Sequence, residues 1–142
     1  PQHVVHITNY GYKLVDCKRI QEGISMLRQA VDMNSEYYAS YLWLGRAYRA
    51  EGEEEQAKKE YTKARQILRD LTIQHPQNEA YLCSLESVNR SLGDYEDADM
   101  ANKQLQDARS TKMLNGSPDK LLAGPESGVW KEADFLYEEE NP

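Results

Sequence analysis

The chain has 142 residues, of which 39% are apolar, and its formal charge is −7 at pH 7. This length predicts one domain with room for a substantial core. The acidic balance argues against nucleic acid as a partner, because affinity for phosphates depends on patches of Lys and Arg. Cys17 and Cys83 are the only cysteines. Two distant cysteines exclude a disulfide framework and a zinc site built from paired cysteines.

The sequence contains no run of about 18 apolar residues, so it predicts no segment that inserts into a membrane. The N-terminus also lacks a basic region followed by an apolar stretch. We therefore expect a soluble chain and a cytoplasmic location. Because the chain begins with Pro1, it is also expected to be a processed product or a fragment of a longer protein.

Charge and helix-breaking residues divide the chain into two parts. Residues 1–110 contain 14 basic and 17 acidic residues, whereas residues 111–142 contain three basic and seven acidic residues. Pro1 and Pro76 are the prolines of the first part, and its apolar residues recur at spacings of three and four. This pattern predicts consecutive helices. The second part is rich in Gly and Pro and indicates a linker and a tail.

Within the helical part, small residues and large residues each recur at fixed positions of a longer repeat. The segment from Tyr38 to Ala64 resembles a tetratricopeptide repeat, a pair of antiparallel helices encoded by about 34 residues. The resemblance rests on Tyr41, Leu44, Gly45, Tyr48, Gly52, Ala57, Tyr61 and Ala64. In this pattern Gly45 and Ala57 lack bulk, so the two helices can approach closely.

The same register predicts three repeats, near residues 4–37, 38–78 and 79–112. Seven extra residues separate the second repeat from the third, which is about two helical turns. We therefore expect an extended second helix in the middle repeat, ended by His75 and Pro76. In the third repeat Glu86 replaces the small residue that Gly45 supplies, which predicts looser packing or a partner for this carboxylate.

The resemblance implies an all-α fold, a right-handed superhelical solenoid of three helix pairs, with a tail that contains a short helix. It also implies that the first helices of the pairs line a concave groove for a peptide or a helix of a partner. Carried onto this chain, the family's groove positions include Thr8, Asn9, Tyr12, Leu42, Trp43, Arg46, Arg49, Cys83, Ser87 and Arg90.

Arg46, Arg49 and Arg90 are basic groove positions in an acidic chain, which indicates an acidic or carboxylate-bearing partner. The alternative is that Arg46 and Arg49 pair with Glu51, Glu53 or Asp16 of the chain itself.

The end of the chain combines acidic and aromatic residues. Residues 113–128 are expected to form a flexible linker, and residues 129–142 an acidic aromatic segment. This segment could cap the last repeat, dock into its own or a neighbour's groove, or be disordered. Docking would give autoinhibition or a homo-oligomer, and would use Trp130, Phe135, Leu136 and Tyr137.

The motifs of catalysis are missing from the sequence. It contains no G-x-S-x-G, P-loop or G-x-G-x-x-G motif, and His3 and His6 offer no third metal ligand. We therefore expect a non-catalytic adaptor that binds a protein partner and needs no cofactor or metal. A self-assembling protein, a secretion-type chaperone and an accessory subunit of an enzyme complex stay open as alternatives.

Overall fold

A computed structural model describes residues 2–116, which form six α-helices. In chain order they are α1 (Gln2–Asp16), α2 (Ile20–Met33), α3 (Tyr38–Ala50), α4 (Glu54–Gln74), α5 (Glu79–Leu92) and α6 (Tyr95–Asn115). No strand occurs within these residues. The predicted all-α architecture of helix pairs is confirmed.

The chain divides into two compact units, which meet between Ile67 and Leu68 inside α4. The first unit contains α1, α2, α3 and most of α4, and the second contains the end of α4, α5 and α6. In the first unit α1 packs against α2, and α2 packs against α3. In the second unit α5 packs against α6.

Glycines bring the helices of the first unit close together. A Cβ atom added to Gly11 on α1 would lie 2.7 Å from Cγ of Leu27 on α2. A Cβ atom on Gly45 of α3 would lie 2.7 Å from the ring of Tyr61 on α4. Non-bonded carbon atoms do not approach each other this closely, so a side chain at either position would clash. A large side chain of the second helix therefore packs against bare backbone of the first helix in each pair.

The turns follow from local residue chemistry. Gly52 and Gly93 have φ angles of 81° and 82°. These angles lie in the left-handed region that glycine enters without strain, so the two residues can end α3 and α5. The Asn78 side chain caps α5 by accepting a hydrogen bond from the Tyr81 backbone N–H at 3.2 Å, as N-cap residues commonly do. α4 ends at Gln74, before His75 and Pro76.

The second unit is held by a different set of contacts. Leu82 on α5 packs with Leu105 and Ala108 on α6. Glu79 at the start of α5 pairs with Arg109 at 3.2 Å and with Lys112 at 3.3 Å, which ties it to the end of α6.

α6 ends later than the sequence predicted. Residues 113–115, expected to begin the linker, belong to this helix. Gly116 is the first helix-breaking residue after Gly93, so nothing in the sequence ends the helix earlier. The rest of the proposed linker and the segment 129–142 lie outside the described residues.

Replacing Gly45 by Leu should destabilise the first unit by about 1 to 3 kcal/mol, because the new side chain would overlap the Tyr61 ring. Urea unfolding followed by circular dichroism measures this change. Ala50→Leu is the matched control, since Ala50 is exposed at the end of the same helix. Equal midpoints for Gly45→Leu and the wild type would contradict this account of the packing.

Glu60 on α4 is a buried carboxyl, with 8% of its surface exposed. Burial raises its pKa, against the opposing effect of the positive charges of Arg28 and Lys59. Glu60 is therefore protonated more readily in the native state than in the unfolded chain. Ionising Glu60 costs folding free energy as the pH rises from its unfolded pKa through its native pKa.

Glu60→Gln should therefore raise the Tm at pH 7, and the gain should shrink as the pH falls toward about 4, near the pKa of an unfolded glutamate. Thermal unfolding at several pH values measures this. Glu55→Gln on the same helix is the control, because the Glu55 side chain is 92% exposed. A gain that is independent of pH would contradict a buried charge as the cause.

Candidate binding surface

Three side chains of α1 and α3 form a stack in the first unit. The rings of Tyr12 and Trp43 have centroids 4.1 Å apart and are tilted by 38°. The guanidinium carbon of Arg46 lies 4.9 Å from the centroid of the Trp43 ring, within the range of a cation–π contact. Trp43 is buried, whereas Tyr12 and Arg46 are half-buried. Trp43 thus supports two side chains that reach the surface.

Arg46 carries a poorly hydrated charge. Burial lowers its pKa, and the neighbouring charge of Arg49 lowers it as well. Guanidinium groups stay protonated at any physiological pH. A partially dehydrated cation attracts a carboxylate more strongly than a fully hydrated one.

Arg49 lies one turn further along α3 and contacts α4. Its guanidinium carbon lies 4.9 Å from the centroid of the Tyr61 ring, and its Nε lies 3.4 Å from a carboxylate oxygen of Glu54. The sequence predicted Glu51, Glu53 or Asp16 as a partner, and the structure shows an ion pair with Glu54, which was not among them. The repeat pattern predicted a packing role alone for Tyr61. The signal was present, because Arg49 and Glu54 flank a short turn that ends one helix and begins the next.

Four of the predicted groove positions are buried in this structure. The Thr8 and Ser40 hydroxyls hydrogen-bond at 2.9 Å and link α1 to α3. Asn9, Leu42 and Trp43 are also buried. These side chains therefore contribute packing. Of the predicted groove positions on α1 and α3, Tyr12, Arg46 and Arg49 are half-buried and reach the surface.

The predicted positions of the third repeat belong to the second unit. Arg90 is exposed and pairs with Glu86 at 3.0 Å and with Asp99 at 3.2 Å. Glu86 thus has a partner, which was one of the two predicted alternatives. Ser87 is half-buried. Cys83 is half-buried against the cluster of Leu82, Leu105 and Ala108.

The predicted tail-docking residues, Trp130, Phe135, Leu136 and Tyr137, lie outside the described residues. Residues 2–116 contain no cluster of three or more His, Cys, Asp or Glu side chains suited to a metal ion. Among the same residues, every helix is too short or too polar to cross a bilayer.

Comparison with known proteins identifies the family. The plant-specific mitochondrial import receptor subunit TOM20 family matches residues 11–120, which is most of the chain and covers the end of α1 and all of α2 to α6. The chain belongs to this family. Membership supports a protein-interaction role for the chain, since the family is one of receptor subunits.

A solved structure described as the crystal structure of MamA is similar to the chain. The TM-score is 0.47 and the sequence identity is 22%, with 73% of this chain and 57% of the MamA chain covered. The chain thus spans little more than half the length of that protein. No curated protein sequence matches the chain.

The expected cytoplasmic location is wrong. The TOM20 family consists of mitochondrial import receptor subunits, which points to the mitochondrion. The expectation rested on the lack of a long apolar run and of a signal peptide. Those features say nothing about association with an organelle surface.

Thiol chemistry can check the environment of Cys83. Burial raises its pKa, and only the thiolate reacts readily. Cys83 should therefore react with iodoacetamide at pH 8 more slowly than the exposed Cys17. Mass spectrometry of the Cys17→Ser and Cys83→Ser variants measures each thiol separately. Faster alkylation of Cys83 would contradict its placement against the α5–α6 cluster.

Proposed function

We propose that the chain is a non-catalytic receptor module that binds the targeting segment of a mitochondrial precursor protein. The observation that carries the proposal is the stack of Tyr12 and Arg46 on the buried Trp43, in a chain of the TOM20 family. Aromatic and Arg side chains dominate binding hot spots, because they combine a large contact area with directional polar contacts.

The chemistry of targeting segments suits this chain. Such segments are amphipathic, rich in Arg and poor in acidic residues. Their apolar face can pack on Tyr12, and their basic face is attracted by a chain with a net charge of −7. Because Arg49 pairs with Glu54, part of the positive charge of the surface is already balanced within the chain.

A second candidate is a partner segment that bears carboxylates, and Arg46 favours it. Its half-buried charge lies on the Trp43 ring, where a carboxylate would gain a charge-assisted contact. The two candidates predict opposite preferences of the wild-type chain between a basic peptide and the same peptide with its charges reversed, so one experiment separates them.

Tyr12→Ala should weaken binding of a synthetic basic amphipathic targeting peptide about tenfold, since hot-spot side chains contribute more than about 1 kcal/mol. Fluorescence anisotropy of the labelled peptide measures the Kd. Circular dichroism shows whether the variant is folded, and Tyr95→Ala is the control because Tyr95 is exposed on α6. Unchanged affinity in a folded Tyr12→Ala variant would overturn the proposed surface.

Arg46→Glu should strengthen binding of the basic peptide and weaken binding of the same peptide with its charges reversed. Lys63→Glu makes the same charge change at an exposed site on α4 and controls for net charge. If the wild type binds the charge-reversed peptide more tightly than the basic peptide, and Arg46→Glu abolishes that preference, the carboxylate-bearing partner is the correct one. Light scattering of the free chain tests a further alternative, a homo-oligomer.

A further inference from the structure

A surface cavity in the second unit lies away from Tyr12 and Arg46 in sequence and has a different chemistry. Its volume is about 460 Å³. One wall is formed by the end of α4 and the turn that follows it, and the other wall by α6. The lining includes Ile73, Pro76, Gln104, Asp107, Ala108 and Thr111. Ile73, Pro76 and Ala108 are the apolar residues of this lining.

Large apolar side chains are exposed around this cavity. Ile73, on its α4 wall, is 77% exposed. Met100 and Leu114, on α6, are 58% and 86% exposed. Met100, Gln104, Asp107, Thr111 and Leu114 follow one another at helical spacings of four and three, so they share one face of α6. The cavity thus lies in the middle of a stripe with an apolar residue at each end.

The α4 wall exists because of the seven residues inserted in the middle repeat. α4 has 21 residues, whereas α2, the corresponding helix of the first repeat, has 14. Ile73 lies in the last turn of the longer helix. Exposed apolar side chains gain free energy when they are covered. The insertion has therefore created an apolar surface that α2, which ends earlier, does not offer.

Outside the described residues the chain carries a segment of matching apolar composition. Residues 129–137 contain Val129, Trp130, Phe135, Leu136 and Tyr137, and they follow α6 after the connection 117–128. That connection can span up to roughly 40 Å when extended. The part of α6 from Gln104 to Asn115 is about 16 Å long. The segment can therefore reach back to the cavity, and the covalent connection gives it a high effective concentration there.

One charge pair would fix the orientation of such a segment. Asp107, on the cavity wall, forms no ion pair within residues 2–116. Lys131, the next residue after Trp130, is the basic residue of the segment 129–142. A Trp130 side chain placed against Ile73 leaves Lys131 beside it as a partner for Asp107.

We propose that residues 129–137 of the chain itself cover the cavity between the end of α4 and α6, with Trp130 against Ile73 and Ala108 and Lys131 near Asp107. The covered surface belongs to the same chain as the segment, so no second copy is needed. The occupant differs from the partner of Tyr12 and Arg46 proposed above. The two proposals are independent, and different experiments test them.

Fluorine NMR of the full chain labelled with 5-fluorotryptophan tests this contact. The label gives two signals, from Trp43 and Trp130, and Trp130→Phe assigns them. A soluble gadolinium complex should broaden the Trp130 signal weakly in the wild type and strongly in Ile73→Asp. Met33→Asp is the matched control, because Met33 is an exposed apolar residue on α2; it should leave Trp130 protected.

The charge pair gives a second measurement. Asp107→Lys should expose Trp130, and the double variant Asp107→Lys with Lys131→Glu should restore protection. Strong broadening of Trp130 in the wild type, or protection that Ile73→Asp does not change, would overturn the proposal. Protection that appears only at concentrations where light scattering shows a dimer would also overturn it, in favour of a second copy as the source of the segment.

Discussion

The contact on which the first two helix pairs depend is a large side chain packed against a glycine. Leu27 fills the space beside Gly11, and Tyr61 fills the space beside Gly45. The two glycines occupy the same position of the repeat, as do the two large side chains. Because close-packed interiors tolerate little added volume, this contact fixes how near the two helices of a pair lie. It also places the Tyr61 ring where it makes a cation–π contact with Arg49.

The third pair meets the same constraint with different residues. In the third pair the glycine position is occupied by Glu86 and the position of the large side chain by Asn102, and both residues are polar. Leu82, Leu105 and Ala108 pack α5 against α6 instead, and Glu79 adds ion pairs at the helix ends. Glu86 accepts a hydrogen bond from Arg90 on its own helix. The loss of the glycine thus places a carboxylate beside Arg90, which partly balances its charge.

The sequence was sufficient to predict the helix pairs. It was not sufficient to predict which groove positions of a helix are buried in packing and which are exposed to a partner. Gly45 and Ala57 predicted close antiparallel helices because small residues have few other uses at that spacing. The burial of Thr8 could not be predicted in the same way. Its hydroxyl bonds Ser40 on another helix, and a pair so distant in sequence has no local signature. The spacing of apolar residues predicted that the longer α4 keeps one apolar face. It did not predict the cavity beside Ile73, because the other wall of that cavity comes from α6.

The distribution of charge explains why composition was a weak guide to the partner. The acidic total suggested that basic side chains on the first helices are available to an acidic ligand. In the structure Arg49 pairs with Glu54, and Arg90 pairs with Glu86 and Asp99. Exposed pairs of this kind contribute little to stability, but they reduce the local field that a ligand meets. The stack of Tyr12 and Arg46 on Trp43 is therefore the part of this surface on which the proposed binding depends.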